Sequence, residues 1–400
     1  MTGKKNSYDA AIIGGGPVGS QVAGRLAEAG YRTVVLEKKE RLGGQVCCTG
    51  IVSRECVEAY HIPESVIYRW VNSASIFSPA GRVIRVYRDK PQAAILNRSA
   101  FNAECARQAQ IKGAEYLFSN EVTGIETGKN ELTLETNNHN NLHARAVIVT
   151  TGFASHLIDK LGLGGADDFV MGAQAEVETV DIDEVEVYFG NRIAPGFFAW
   201  LVPASDNKAL VGLLSRRHPP AYLRSLLSQL VAEGKIVSAD VPLTYGGVPI
   251  KPLPQTYGER LLVVGTAAGQ VKPLTGGGIY FGLLSADLAA NTLARALAAD
   301  DLSSNKLAGY ERSWKRRLNN ELRTGSHARR FFEMLTDRQV DRLFAMITSA
   351  GLIDEMQKAE ELTFDSHAAV VTRVLGQRLF FKAFQSMKVP FSSIGRTRKV

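Results

Sequence analysis

The chain has 400 residues, 45% of them hydrophobic and 22% charged, with a formal net charge of +7. These proportions describe a soluble globular protein of two or three domains, and no apolar run reaches the roughly 18 residues of a membrane-spanning helix. Four cysteines (Cys47, Cys48, Cys56, Cys105) with no CxxC pair exclude both a disulfide framework and a zinc site.

The opening MTGKKNSYDA passes into a strand pattern with no apolar h-region, so a cytoplasmic protein is expected. Residues 8–13, YDAAII, read as a strand, GGGPVGS as a turn, QVAGRLAEAG as a helix and YRTVVLEKK as a second strand. Gly14, Gly16 and Gly19 stand in GxGxxG spacing. The first allows a tight turn, the second lets the backbone approach a pyrophosphate, and the third lets helix and strand pack closely. Glu37, followed by Lys38, ends the second strand, where a carboxylate accepts from both hydroxyls of an unphosphorylated ribose. This points to FAD or NAD rather than NADP, and position does not choose between the two.

Next comes ERLGGQVCCTGIVS, with Cys48, Thr49 and Gly50; from chemistry alone the two cysteines read as small buried apolar residues. SASIFSPAGRVIRVYR reads as paired strands, ILNRSAFNAECARQA carries Arg98 near a helix start, and ARAVIVTTGFAS is a strand ending in Thr151-Gly152. FVMGAQAEVETV, VEVYFGN, GFFAWLVPAS and KALVGLLS are strand-like runs with turn residues between them. Within them PGFFAWLVP (residues 195–203) is uncharged, and fits either a buried strand or the wall of an apolar cavity.

Residues 261–290, LLVVGTAAGQVKPLTGGGIYFGLLSADLAA, form a second glycine-rich strand-to-helix turn. It suits a cofactor with two ends to hold, its glycines allowing close backbone approach to an oxygen-rich ligand. Beyond residue 300 the composition is helical; TDRQVDRLFAMITSAG has an N-cap at Thr336 and a stop at Gly351. Much of the positive excess lies here, in ERSWKRRLNNELRTGSHARRFF and the terminal GRTRKV. With QRLFFKAFQSMKVPFSS it fits contact with the cytoplasmic face of a membrane; no nucleic-acid partner is expected.

The pattern G-x-A-A-G-x-x-x-P-x-x-G-x-G-I resembles the second FAD motif of flavoproteins with the p-hydroxybenzoate hydroxylase fold. More narrowly, it resembles the geranylgeranyl reductase family, which saturates isoprenoid double bonds. The resemblance implies FAD as cofactor, with Gly265, Thr266, Ala268, Pro273, Gly276, Gly277, Gly278 and Ile279 against its ribityl chain and ring. Thr266 stands where the family has aspartate. Arg98 matches the family's cofactor-contacting arginine, and Cys48, with Thr49 and Gly50, its flavin-adjacent cysteine loop. Thr151 replaces the acid of the Asp-Gly element associated with NAD(P)H use in the hydroxylases.

PGFFAWLVP resembles the family's P-x-x-Y-x-W-x-F-P signature, matching at Pro195, Trp200 and Pro203, with Phe198 for tyrosine and Val202 for phenylalanine. The resemblance makes these residues the lining of a prenyl-chain cavity. The expected fold is α/β: a discontinuous Rossmann-like FAD domain (residues 1–70, 95–165 and 255–300), a β-sheet substrate domain (71–94 and 166–254) and a helical C-terminal region (301–400). The implied reaction is hydride transfer from reduced flavin N5 to a geranylgeranyl or other polyprenyl lipid, diphosphate or quinone, with Cys48 and Tyr280 as proton-path candidates. The external electron donor is NADPH or ferredoxin. A monooxygenase or halogenase of the same fold, and a flavin-binding redox or membrane module without turnover, are the alternatives.

Overall fold

In a computed structural model the described residues are 7–349 except 45, 154, 155, 166 and 206, together with 351, 353, 364 and 365. The chain divides into two compact units: Met1–Val46 with Asn97–Phe169 and Gly247–Asn319, and Cys47–Leu96 with Val170–Gly246 and Asn320–Val400.

The first unit begins with β1 (Ser7–Ile13), α1 (Pro17–Glu28) and β2 (Thr33–Leu36). In the second unit follow β3 (Ile51–Ser53), α2 (Arg54–Ala59), β4 (Ile67–Val71), the hairpin β5 (Ser73–Phe77) and β6 (Val83–Tyr87), and β7 (Ala93–Leu96). The chain returns to the first unit with α3 (Arg98–Ile111), β8 (Glu115–Leu117), β9 (Val122–Thr127), β10 (Leu132–Thr136), β11 (Leu142–Val149) and α4 (His156–Lys160). Then come β12 (Phe169–Glu178), β13 (Val185–Phe189), β14 (Phe198–Pro203), β15 (Lys208–Ser215), α5 (Pro219–Ala232) and β16 (Thr244–Pro249). Last are β17 (Tyr257–Gly258), β18 (Leu261–Val263), α6 (Ile279–Ala298), α7 (Ser304–Glu333) and α8 (Asp337–Ser349).

The first unit's sheet runs β17-β18-β11-β1-β2-β8, with β10 and β9 branching off β11. From β18 to β8 every pairing along it is parallel. Parallel strands covered on both faces need apolar residues at successive positions rather than alternating ones. Accordingly Ala10, Ala11, Ile12 and Ile13 of β1, and Val34, Val35 and Leu36 of β2, are all buried. The expected Rossmann-like α/β architecture is therefore present.

The second unit's main sheet runs β16-β12-β15-β14-β13-β5-β6, and β3-β7-β4 form a small sheet of their own. One face of the main sheet is covered by Leu223, Leu226, Leu227 and Leu230 of α5. On the β5-β6-β13 part of the other face, Leu335 and the α8 residues Val340 and Phe344 cluster with Ile84 and Phe189.

The expected first segment, 1–70, divides at residues 46 and 47, because β3 and β4 pair with β7. The expected helical start at Thr336 is present, the Thr336 amide and hydroxyl donating to Gln339 Oε1 at 2.8 and 3.0 Å, the glutamine half of a capping box. Gly351 has φ +65. The stretch 377–393, expected to suit a membrane surface, lies outside the described residues. No helix among the described residues is long and apolar enough to cross a membrane.

Candidate functional site

The first glycine loop is built from three different constraints. Gly14 turns the chain with φ +105, and a Cβ there would lie 2.7 Å from the Thr150 carbonyl oxygen. A Cβ at Gly19 would lie 2.0 Å from the Gly14 carbonyl oxygen, so α1 starts pressed onto the turn. At Gly16 a Cβ would meet nothing within 4 Å: that glycine borders open space. Gly16 is the N-cap of α1 with no side-chain cap, and Pro17 follows it. First-turn amides left without a cap are the geometry that a pyrophosphate takes. The Thr150 hydroxyl, which the sequence did not single out, donates to Ile13 O at 2.9 Å and Gly14 O at 2.8 Å.

Glu37 ends β2 with 7% exposure. Its Oε2 accepts from Gly15 N at 2.7 Å and its Oε1 from Lys39 N at 3.0 Å. Each oxygen keeps a further lone pair, so the carboxylate braces the loop and can still accept from a ribose. Lys38 beside it is exposed.

The second loop meets the first at one side chain. A Cβ at Gly265 (φ +75) would lie 3.0 Å from Val18 Cγ1, and one at Gly282 would lie 2.7 Å from Val18 Cγ2. The start of α1 thus packs against both the loop after β18 and the first turn of α6. Ala268 and Pro273 are buried, and Ile279 and Tyr280 open α6, Tyr280 at 7% exposure. A Cβ at Gly278 would lie 2.4 Å from Val271 Cγ1 and 3.4 Å from Thr266 Oγ1, and one at Gly277 would lie 3.0 Å from Lys272 Cε. The hydroxyl that replaces the family's carboxylate therefore lies at the last glycine of the loop.

A brace for this loop escaped the sequence reading. The fully buried Gln270 accepts from Gly265 N at 2.7 Å through Oε1 and donates through Nε2 to the Tyr310 hydroxyl at 2.8 Å. The Tyr310 hydroxyl donates in turn to Val263 O at 3.1 Å. Trp314 Nε1 donates to Thr256 Oγ1 at 2.9 Å. Replacing Gln270 with leucine orphans the buried Gly265 amide and takes from the Tyr310 hydroxyl one of its partners, leaving it Val263 O. It is expected to cost about 2–4 kcal/mol of stability, read as a lower urea midpoint.

Arg98 opens α3, whose N-cap Asn97 accepts from Ala100 N at 3.0 Å. The guanidinium lies 5.4 Å from the Phe101 ring centre. Its Nε and Nη1 are buried with no hydrogen-bond partner, as is Thr151 Oγ1 after β11. Buried polar groups are normally satisfied, so such orphans in the unit that carries both glycine loops fit an oxygen-rich ligand. Two anion-ready turns joined at Val18, a strand-end carboxylate and an orphaned guanidinium together fit a dinucleotide with two ends to hold.

Cys48, Thr49 and Gly50 belong to the second unit. The Cys47 thiol donates to Thr244 O at 3.6 Å, and burial pushes its pKa up. A Cβ at Gly246 would come 3.2 Å from Cys47 Cβ, so Cys47 packs on β16 while Cys48 is half-buried. Thr49 Oγ1 donates to the buried Gln174 at 2.9 Å, and Gly50 O accepts from Leu96 N at 3.0 Å.

The PGFFAWLVP run follows strand parity. From β14, Ala199 and Leu201 enter the core under α5. Trp200 and Val202, pointing to the other face, cluster with Ile95 and Val185, and the Phe198 ring lies 6.0 Å from that of Trp200. Trp200 Nε1 is buried without a partner, and its ring fits only because Gly212 opposite has no side chain: a Cβ there would lie 2.5 Å from Trp200 Cζ2. Pro203 is buried, and Pro195 precedes the strand. The run is therefore core on one face, and on the other two half-buried aromatic rings beside the buried Val202.

A family model described as lycopene cyclase protein matches residues 9–382. A digeranylgeranylglycerophospholipid reductase of Methanocaldococcus jannaschii is 30% identical over 352 residues, covering 84% of this chain and 89% of the relative. Among solved structures, a geranylgeranyl bacteriochlorophyll reductase-like protein of Thermoplasma acidophilum is 25% identical with a TM-score of 0.83. That match covers 96% of this chain and 99% of the other. The halogenase PltM in complex with FAD shares the fold at 16% identity and a TM-score of 0.66, covering 97% of this chain and 98% of the other. The chain falls within the lycopene cyclase protein model, and it belongs to the geranylgeranyl reductase family of FAD-dependent oxidoreductases.

Proposed function

We propose that this protein saturates C=C bonds of a geranylgeranyl or other polyprenyl chain carried on a lipid, a diphosphate or a quinone. The observation that carries the reading is the divided character of β14. Opposite its α5 face, the half-buried rings of Phe198 and Trp200 present aromatic surface in a chain of this family, with the buried Val202 packed beside them on Ile95 and Val185. Such surface binds an oily chain by removing apolar area from water, at roughly 25 cal/mol per Å². In this reading the first unit holds FAD and the second the prenyl chain, with NADPH or ferredoxin as the outside donor.

FAD, when bound and reduced, supplies a hydride equivalent at its N5. An isolated trisubstituted alkene is not electrophilic, so the protein's share is positioning and water exclusion. Pro195, Phe198 and Trp200 hold the chain, and the buried Val202 and Pro203 back them. Gly14, Gly16, Gly19, Glu37 and Arg98 hold the adenosine and pyrophosphate end. The loop from Gly265 to Ile279 holds the opposite end, its amides donating to oxygens. Cys48 and Tyr280 are the proton-path residues; the Cys48 thiol or the Tyr280 hydroxyl delivers a proton to the second carbon.

The test is the product mass. With dithionite as donor, a geranylgeranylated lipid is expected to gain mass in steps of two hydrogens. A product bearing an added oxygen or halogen, formed only in air, would replace this reading with a monooxygenase or halogenase. Cys48→Ser is expected to slow that reduction about a hundredfold, the lower end for a lost acid-base group, with flavin content unchanged. Cys47→Ser, altering a thiol packed on β16, is expected to leave the rate alone.

A further inference from the structure

The helix α7 sorts its residues into two stripes. Leu307, Tyr310, Trp314, Leu318 and Leu322 are buried along one face. Along the opposite face Arg312, Arg316, Arg323, His327 and Arg330 are exposed. Spacings of four, seven, four and three keep these five on one line, about 27 Å long at about 1.5 Å per residue.

Of the three acids of α7, Glu321 stands beside the buried Leu322, off this line, and the other two are engaged elsewhere. Glu311 pairs with Lys315 and accepts from Thr256, and Glu333 pairs with Arg329 and Arg216. Arg312, Arg316, Arg323 and Arg330 make no ion pair among the described residues. A merely solvated helix face gains from alternating signs at four-residue spacing, and this one carries a single sign along its length. The cations are arginines, whose planar fork matches phosphate oxygens two at a time.

We propose that this arginine face of α7 docks the protein on the anionic headgroups of a phospholipid membrane, with the helix lying flat on the surface. The choice of lipid over other polyanions rests on the prenyl-lipid reading of the substrate. No helix among the described residues crosses a bilayer, so a surface contact of this kind gives a soluble fold access to a membrane-borne chain. Each arginine near such a surface adds about fivefold to the partition coefficient, and the attraction fades as salt shortens the screening length.

The test uses the full FAD-loaded chain, sedimented with vesicles of phosphatidylcholine alone or with about a third phosphatidylglycerol. The wild-type protein is expected to bind the anionic vesicles selectively and to leave them in half-molar salt. R316E/R323E/R330E is expected to lower that partitioning about a hundredfold or more. The milder R316Q/R323Q/R330Q should fall between, both variants keeping bound flavin and the rate on detergent-dispersed lipid. The terminal GRTRKV is unchanged in both, so any loss reports on α7.

Equal binding to neutral and anionic vesicles, or unaltered binding by the variants, would overturn the proposal. So would tighter binding to duplex DNA that anionic vesicles do not displace. Failure of the wild-type protein to reduce dispersed lipid would count against the substrate reading instead, and the vesicle result would stand by itself.

Discussion

Replacing Gly16 with valine leaves the protein folded and strips it of FAD. Gly16 has φ −66, an ordinary value for any residue, and a Cβ at this position meets nothing within 4 Å. The substitution therefore brings no backbone strain and no clash at its Cβ, and the unfolding temperature of the apoprotein is expected to be nearly unchanged. The added methyl groups stand in front of the uncapped α1 amides, where the pyrophosphate approaches. Losing one charge-assisted hydrogen bond, at about 1.5–3 kcal/mol, raises the FAD dissociation constant about 10- to 100-fold, and losing two raises it about a hundredfold or more. Gly19→Ala is the contrasting case: its Cβ would sit 2.0 Å from a carbonyl oxygen. The fold is expected to lose about 3 kcal/mol. Flavin absorbance per chain and apoprotein melting separate the two; equal melting losses would mean that Gly16 is a packing glycine as well.

Arg98→Leu is expected to move stability and cofactor affinity in opposite directions. Two guanidinium nitrogens are buried without partners, an arrangement that costs free energy until a ligand oxygen arrives. Removing them makes the apoprotein equally or more stable. FAD affinity falls by about 10- to 100-fold, the worth of one hydrogen bond to a charged group at about 1.5–3 kcal/mol. Arg98→Lys keeps the charge but loses the fork, and should recover only part of the affinity. Titrating FAD into apoprotein by fluorescence quenching, beside apoprotein melting curves, checks both halves. A less stable apoprotein with unchanged FAD affinity would make Arg98 a structural residue.

What the sequence made legible was local. Gly14 and Gly19 announce themselves because a turn and a close helix contact tolerate no side chain, and the buried runs of β1 and β2 are continuous because parallel strands are covered twice. The P-x-x-x-x-W-x-x-P spacing likewise located β14, and strand parity then divided its residues between two faces. Partnerships across the chain were not legible. Gln270 meets Tyr310 across 40 positions, and nothing in GTAAGQVKP shows that its glutamine holds the loop from behind. The division at residues 46 and 47 depends on β7 pairing with β3, a long-range event without a local mark. The two adjacent cysteines differ only in which one meets Thr244 and Gly246, both on a strand some 200 residues later.

The most direct measurement is an anaerobic single turnover. The FAD-loaded protein is reduced with one equivalent of dithionite and mixed with a geranylgeranylated lipid, while the oxidised-flavin band is followed. This account predicts that the band returns without oxygen, one flavin reoxidised for each double bond saturated, and that Trp200→Ala slows the return while FAD stays bound. A band that stays bleached until air is admitted, with the lipid unchanged, would contradict it.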